Sequence, residues 1–450
     1  MRRRRALAPL IPRPMISAAT PSSAPPLTAP EVAARFRYWQ YRTLIATMFG
    51  YAAFYFVRKN LSFAMPAMQS DLGITKADLG LFLTLHGLLY GVSRFVNGMW
   101  ADRANARYFM VAGLMLSVGA NVFFGFSSTV LWFGVAWMIN GWVQGMGFPP
   151  CCRLLTHWFP PGNLATKMSI WNTSHSIGAA IAGVFCGYIV AYGWRWAFFG
   201  PAILCTIAGV ILFILLRDTP TSVGLPEIKV EGAKPEDHAD RTSESYKAFV
   251  KHQVFLNPFI WWISLANFFV YVLRFAILDW GPTLLKEMKH FPVHQGGWMV
   301  AAFEVSGIVG MLLAGWATDR IFKGRGARMC VFCMIGACGA MLLFWKFGST
   351  PTTATVFLAL AGFFIYGPQA LIGITAANLA TKRAAATAAG FTGLFGYAST
   401  LVSGWGLGLL VQREGWEVAF GALLGIGAIG MFMFVLAWPA KAHGYQPASS

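Results

Sequence analysis

The stretch GMWADRANAR, residues 98–107, returns as GWATDRIFKGR at residues 315–325, and both copies carry G-x-x-x-D-R. Each copy closes a long apolar run and is followed by further cations. A polar motif that recurs after 217 positions marks a chain whose second half repeats its first.

The composition around the motif fixes the solvent. Of 450 residues 56% are hydrophobic and 12% charged, against a charged fraction of about 25% in soluble domains. This predicts an all-α membrane protein. Windows of roughly 20 residues, the length that crosses the hydrocarbon core, place spans at 41–66, 79–101, 107–126, 128–150, 166–190, 194–216, 257–282, 296–317, 327–346, 352–376, 385–411 and 416–438. The twelve spans divide into bundles of six, 41–216 and 257–438, joined by a polar linker over 217–256 that is rich in charge, Pro, Ser and Thr. Residues 1–40 and 439–450 read as tails, the first expected to be disordered.

The net charge of +18 raises the question of a nucleic-acid partner, and its distribution answers it. Cations gather at Arg2–Arg5, Arg35, Arg37 and Arg42, and then in alternate loops at Arg103 and Arg107, Arg153 and Lys167, Arg320 to Arg328, and Lys382 and Arg383. The intervening loops are poor in cations or balance them with acids. That is the positive-inside pattern, and it puts both termini and the linker in the cytoplasm without invoking nucleic acid. The arginine-rich start is interrupted by prolines, so it makes a poor secretory signal; an organellar transit peptide is the alternative to a cytoplasmic tail. The seven cysteines include one CxxC, CVFC at 330–333 on an apolar helix, and indicate neither a disulfide framework nor a metal site. No cofactor is expected, nor any catalytic arrangement of nucleophile, base and oxyanion donors.

Chemistry resides in the few charges inside the spans. Carrying Arg58 of the first span forward by nearly the motif's offset reaches Arg274 of the seventh, so the two are pseudo-symmetry mates. An arginine at the centre of a spanning helix costs about 2.5 to 3.5 kcal/mol on the insertion scale and is a functional-site hypothesis by default. Tyr51, Tyr55 and Arg58 share one helix face by their spacing, as do Tyr271 and Arg274. Two forked guanidiniums flanked by phenols suit a doubly charged tetrahedral anion, phosphate or a phosphate monoester. Lys59, Asp279 and Glu304 are expected to neutralise one another beside this site, leaving Arg58 and Arg274 unpaired. Tyr90 and Arg94 in the second span, Asn172 and His175 in the fifth, and Tyr366 and Tyr397 in the tenth and eleventh complete the candidate set. For Arg94 the alternative is a side chain that snorkels to the interface, and for His175 a helix-to-helix hydrogen bond. Trp171 reads as packing or ring stacking. His86, His157, His290 and His294 belong to no such constellation.

The ordered blocks GYAAFYFVRKNLSFAMP, GVSRFVNGMWADRANARYFM, NGWVQGMGFPPC, WNTSHSIG, YVLRFAILDWGPTLLKEMKHF, IYGPQALIG and KRAAATAAGFTGLFGY together resemble the organophosphate:phosphate antiporters of the major facilitator superfamily, over residues 36 to 438. The resemblance implies two six-helix bundles with substrate between them at the midplane. It also implies exchange of inorganic phosphate for a phosphate ester by a carrier in a bacterial inner membrane, expected to work as a monomer. The family's substrate arginines fall on Arg58 and Arg274, its histidine on His175, its cavity tyrosines on Tyr51, Tyr55, Tyr90, Tyr271, Tyr366 and Tyr397, and its lysine and acids on Lys59, Asp279 and Glu304. The D-R pairs, Asp102 with Arg103 and Asp319 with Arg320, match its structural loops. Arg94 stands where the glycerol-3-phosphate transporters carry lysine. GFTGLFGY is of the glycerol-phosphate type, whereas RFRYWQYR and YGPQALIG are similar to a hexose-phosphate sensor. Glycerol-3-phosphate is the favoured substrate on this reading, with hexose-6-phosphate or phosphoglycerate exchange, or sugar-phosphate sensing, as alternatives.

Overall fold

The computed structural model describes residues 28–101, 104–228 and 248–440, and among them every regular element is helical. The first helix, α1 (Ala29–Leu72), starts well before the expected span. Thr28 and Glu31 cap one another there, the Thr28 N–H donating to Glu31 Oε2 at 2.8 Å. The expected tail is therefore helical from Ala29 onward; a hydropathy window registers only the apolar part of a helix that continues into water. The rest of that tail lies outside the described residues. Gly73 ends α1 in the left-handed conformation, φ 66°, which a residue without Cβ adopts freely.

Six further helices complete the first half: α2 (Lys76–Ala101), α3 (Ala106–Phe126), α4 (Val130–Gln144), α5 (Phe148–Trp158), α6 (Pro161–Ile189) and α7 (Trp196–Leu215). The expected fourth span is thus two helices. A Cβ on Gly145 would come within 2.3 Å of Ser93 Oγ, so α2 packs against the break itself. Pro149 and Pro150, which donate no N–H, then sit in the first turn of α5, where none is needed.

The second half comprises α8 (Pro258–Lys289), α9 (Val293–Arg320), α10 (Gly326–Phe347), α11 (Pro351–Leu379), α12 (Thr381–Ala398) and α13 (Leu407–Leu436). A π-helical turn, Leu401–Gly406, joins the last two, and Gly415, at φ 79° and ψ 177°, breaks α13 where the eleventh span gives way to the twelfth. Nine segments among the described residues are long and apolar enough to cross a membrane. The count of spans rises to twelve when α1, which carries its charges inside, and α4, shortened by its break, are added and the segment Thr387–Leu436 is divided at Gly415. The protein is an integral membrane protein of two pseudo-symmetric six-helix bundles. The repeat extends beyond the arginines: Tyr55 and Tyr271, and the in-helix prolines Pro66 and Pro282, share the spacing of Arg58 and Arg274.

Short connections make successive spans antiparallel, so α1 begins at one face, the termini face, and α2 begins at the other. The halves meet through α1 with α8, α2 with the 401–406 turn, and α6 with α9. The last two contacts lie in the parts of these helices nearest the opposite face. There a Cβ on Gly80 would approach the Gly404 carbonyl oxygen to 2.5 Å, and one on Gly297 the Gly183 carbonyl oxygen to 2.6 Å. Thr84 Oγ1 donates to the Thr400 carbonyl at 2.7 Å and accepts from the Trp405 N–H at 2.8 Å, sealing the same end. The molecule is closed at the opposite face.

Candidate substrate-binding site

Between the halves lies a cavity of about 300 Å³ lined by Tyr51, Tyr55, Arg58, Lys59, Tyr90, Arg94, Phe148, Asn172, His175, Tyr271, Arg274, Phe275, Gln369, Ala370 and Tyr397. A second hollow, of about 340 Å³, shares Arg94 and Phe148 with it and runs on to Thr156 toward the termini face. The site is thus reached from the termini face.

Helix direction sorts the side chains into layers. Nearest the closed face, Lys59 of α1 is ion-paired with Asp279 of α8. The next layer holds the two arginines. Arg58 lies over the Tyr90 ring at 3.9 Å and beside that of Tyr55 at 5.5 Å. Arg274 Nη2 donates to Tyr366 Oη at 3.0 Å. A ring path joins the two guanidiniums: Tyr55 lies 6.1 Å from His175, and His175 stacks on Tyr366 with centroids 6.2 Å apart and planes at 14°. The third layer contains Tyr51, Arg94, Asn172, Tyr271 and Gln369, each about one helical turn nearer the termini face than Tyr55, Tyr90, His175, Arg274 and Tyr366 in turn. Arg94 Nη1 donates to Tyr397 Oη at 2.7 Å, and its guanidinium lies 3.6 Å from the Phe148 ring centre. It lines the cavity and does not snorkel. Tyr51 leans on Trp171 with centroids 4.8 Å apart, so Trp171 is packing, as its spacing suggested.

One expectation is corrected. The triad of Lys59, Asp279 and Glu304 divides in two, because Glu304 is fully buried against Arg274, not against Lys59. Glu304 Oε1 lies 3.9 Å from Arg274 Nη2, and its Oε2 accepts from Tyr366 Oη at 2.5 Å. Arg274 is therefore compensated, and among the described residues no carboxylate pairs with Arg58. Sequence spacing gives the face of a residue on its own helix; it does not give the rotation of α9 against α8 and α11, which decides the partner. Counting the charged groups at the cavity, the cations Arg58, Lys59, Arg94 and Arg274 less the carboxylates Asp279 and Glu304 leave a formal +2.

The residues that sequence reasoning passed over are Phe148, Phe275, Gln369 and Ala370. Gln369 stands three positions after Tyr366, a spacing that could have flagged it. Phe148 became visible only with the break that starts α5. Of the loop motifs, Asp102 and Arg103 lie outside the described residues, and Asp319 and Arg320 form the exposed end of α9.

A profile of the Major Facilitator Superfamily matches residues 47–404 and, in a second register, 289–449. Over 432 residues the chain is 42% identical to a probable hexose phosphate transport protein of Chlamydia muridarum, covering 92% of this chain and 94% of that one. It is 39% identical over 416 residues to the glycerol-3-phosphate transporter of Bacillus subtilis, covering 90% and 94%. The chain belongs to the organophosphate:phosphate antiporter family of the major facilitator superfamily. At 15% identity, and with a TM-score of 0.76 over 92% of this chain and 99% of the other, the fold also matches the crystal structure of a bacterial homologue of the lysosomal transporter Spinster, solved inward-facing and unoccupied.

Support behind the arginine layer comes from buried amides on α1's far side. The Val57 carbonyl accepts from Asn121 Nδ2 at 3.0 Å and from Asn140 Nδ2 at 2.8 Å, and the Phe54 carbonyl from Gln144 Nε2 at 3.2 Å. Asn60 Nδ2 donates to Asn121 Oδ1 at 2.7 Å. These bonds bind the turn of α1 that carries Arg58 to α3 and α4, so the guanidinium projects from a fixed backbone.

Proposed function

We propose that the protein exchanges an organophosphate for inorganic phosphate across a bacterial inner membrane by alternating access, with both termini cytoplasmic. The observation that carries the reading is the charge of the cavity: a formal +2 held on forked donors, with Arg58 uncompensated and Arg274 aimed into the same hollow. A phosphate dianion matches that charge, and guanidiniums bind it bidentately. The relatives are named for hexose phosphate and glycerol-3-phosphate, which share a phosphoryl group carried on skeletons of different size. On this reading the arginine layer holds that common group, and the third layer faces the part that differs.

Exchange follows from electrostatics. Closing the termini face around an empty cavity would strip water from Arg58 and Arg94 with nothing to replace it, and uncompensated buried charge costs several kcal/mol per ion. A bound dianion supplies the compensation, so the loaded carrier reorients and the empty one is held back. Phosphate leaving the cell down its gradient then draws the ester in.

The test is counterflow of labelled phosphate in proteoliposomes. Wild-type protein should exchange phosphate only when the opposite side contains phosphate or an ester. Arg58→Lys and Arg274→Lys should each lose at least tenfold in rate, since a point charge replaces a fork. Full exchange by both variants would overturn the assignment, and uptake driven by a pH gradient without internal phosphate would favour proton coupling instead.

A further inference from the structure

Away from the cavity, three guanidiniums crowd the C-terminal end of α7 at the termini face. Arg42 of α1 donates from Nε to the Leu215 carbonyl at 3.0 Å and from Nη2 to that of Ile214 at 2.9 Å. Arg107 of α3 donates from Nε to the Phe213 carbonyl at 2.7 Å. Arg217 Nη1 donates to the carbonyls of Ile214 and Leu216 at 3.0 and 2.7 Å. Arg42 and Arg217 therefore share an acceptor, and they also share the Trp39 ring, at 4.5 and 5.8 Å from its centre. A helix end carries about half a negative elementary charge, so three cations leave about 2.5 positive charges over.

Among the described residues no carboxylate pairs with any of the three. Asp218, next to Arg217, is turned to Arg153 Nη2 at 3.2 Å and to the Ala106 N–H at 2.7 Å. Burial and the charges of Arg107 and Arg42 lower the Arg217 pKa from its ordinary value. Capping does not require this crowding. The equivalent end of the second half, after α13, accepts a single side-chain bond among the described residues, from Arg328 Nε to the Trp438 carbonyl at 3.4 Å. Arg107 Nη1 and Nη2, and Arg217 Nε and Nη2, bond to nothing among the described residues, and both side chains are only half-buried. Tyr38 accepts from Arg42, and the Arg107 guanidinium lies against Tyr108 and Phe213. These rings and Ile214 are exposed, so the cluster borders the lipid-facing surface at the level where tyrosines meet headgroups.

We propose that Arg42, Arg107 and Arg217 form a binding site for the phosphodiester headgroup of an anionic phospholipid in the leaflet at the termini face, joining the ends of α1, α3 and α7. A phosphodiester offers two free oxygens and one negative charge to the open forks. A zwitterionic headgroup adds an ammonium, which finds three cations and no carboxylate. A soluble anion would match the charge equally; the exposed apolar side chains of Phe213 and Ile214, on which acyl chains rest, favour lipid.

The experiment is native mass spectrometry of the protein in neutral detergent, titrated with phosphatidylglycerol or phosphatidylcholine of the same acyl chains and reading the first lipid bound. Wild type should bind phosphatidylglycerol about tenfold or more tighter than phosphatidylcholine, since each cation beside an anionic lipid is worth about fivefold in binding. Arg107→Gln gives up only one hydrogen bond within the protein and should lose about fivefold of that preference, as should Arg217→Gln if the first variant misfolds. Arg328→Gln should lose less than about twofold, because its cation stands alone. Equal affinity for the two lipids in wild type overturns the proposal, as does a preference that the cluster variants retain or that Arg328→Gln loses as fully. Inorganic phosphate added to the titration separates the sources: retention of the lipid supports the proposal, and its displacement overturns it in favour of a soluble anion.

Discussion

Glu304 lies 3.9 Å from Arg274, whereas the symmetry mate Arg58 has aromatic rings in place of a carboxylate. The repeat places two arginines at equivalent depths, and their surroundings make them unequal. Arg274 is held by Tyr366 and balanced by Glu304, so its position is set before any ligand arrives. Arg58 keeps its charge available.

Glu304→Gln tests this inequality. The variant retains an acceptor for Tyr366 but removes the charge beside Arg274, taking the cavity to a formal +3 by the count above. Leaving one buried charge unpartnered costs on the order of 3 kcal/mol or more. The ligand-free variant should therefore melt below wild type in a thermal-shift assay. Phosphate, now supplying the missing negative charge, should raise its Tm by more than it raises that of wild type. An equal shift in both proteins would mean that Glu304 does not compensate Arg274.

The Lys59–Asp279 pair crosses from α1 to α8 on the closed side of the arginines. Both side chains are nearly buried, so losing one partner strands the other in a poorly solvated place. Lys59→Met and Asp279→Leu should each destabilise the protein by about 3–5 kcal/mol. The double variant should recover much of that loss, because no orphan charge remains. Thermal unfolding of wild type and the three variants forms a double-mutant cycle, and additive losses would show that the two groups do not interact.

At the closed face the halves touch through backbone, and a side chain there acts as a wedge. Gly80→Val would drive its Cβ against the Gly404 carbonyl, 2.5 Å from an ideal Cβ. That contact exists only while the face is closed, so the variant should favour the state open to the opposite side. A thiol reagent added from that side should label a cysteine placed at Thr400 faster in the Gly80→Val background than without it. Counterflow should slow severalfold, because one of the two states that the cycle visits is penalised. Unchanged labelling would mean that the contact does not gate the cavity.

Much of this arrangement was legible in the sequence, and the reason is energetic. An uncompensated charge inside a span is costly enough that Arg58 and Arg274 stand out without any structure, and the repeat then pairs them. Tyr51, Tyr55 and Tyr271 follow because helix periodicity puts them on the arginine faces. Periodicity stops at the edge of each helix. It could not show that Glu304 turns to Arg274, because that depends on how α9 is rotated against its neighbours. Gln369 lines the cavity three positions after Tyr366, a spacing that could have flagged it but that draws no notice in an uncharged residue. The break before α5 was hidden for a related reason: a hydropathy window averages over Gly145, whose packing against α2 ends the helix.

The amides behind α1 yield a prediction about rigidity. Asn121 donates through one nitrogen to the Val57 carbonyl at 3.0 Å and to the Ser117 carbonyl at 2.9 Å, and accepts from Asn60 at 2.7 Å. Asn121→Leu keeps the number and branching of the side-chain atoms but leaves Asn60 without that acceptor, at a cost of about 1–3 kcal/mol for a buried polar group. Asn121 lines neither hollow, so any effect on phosphate must pass through the turn that carries Arg58. Half-saturation for phosphate should rise several-fold more in Asn121→Leu than in Ser306→Ala, which removes a half-buried hydroxyl bonded to the Ala359 carbonyl at 2.6 Å, away from α1. Equal changes would assign the amides to general stability and detach them from the site.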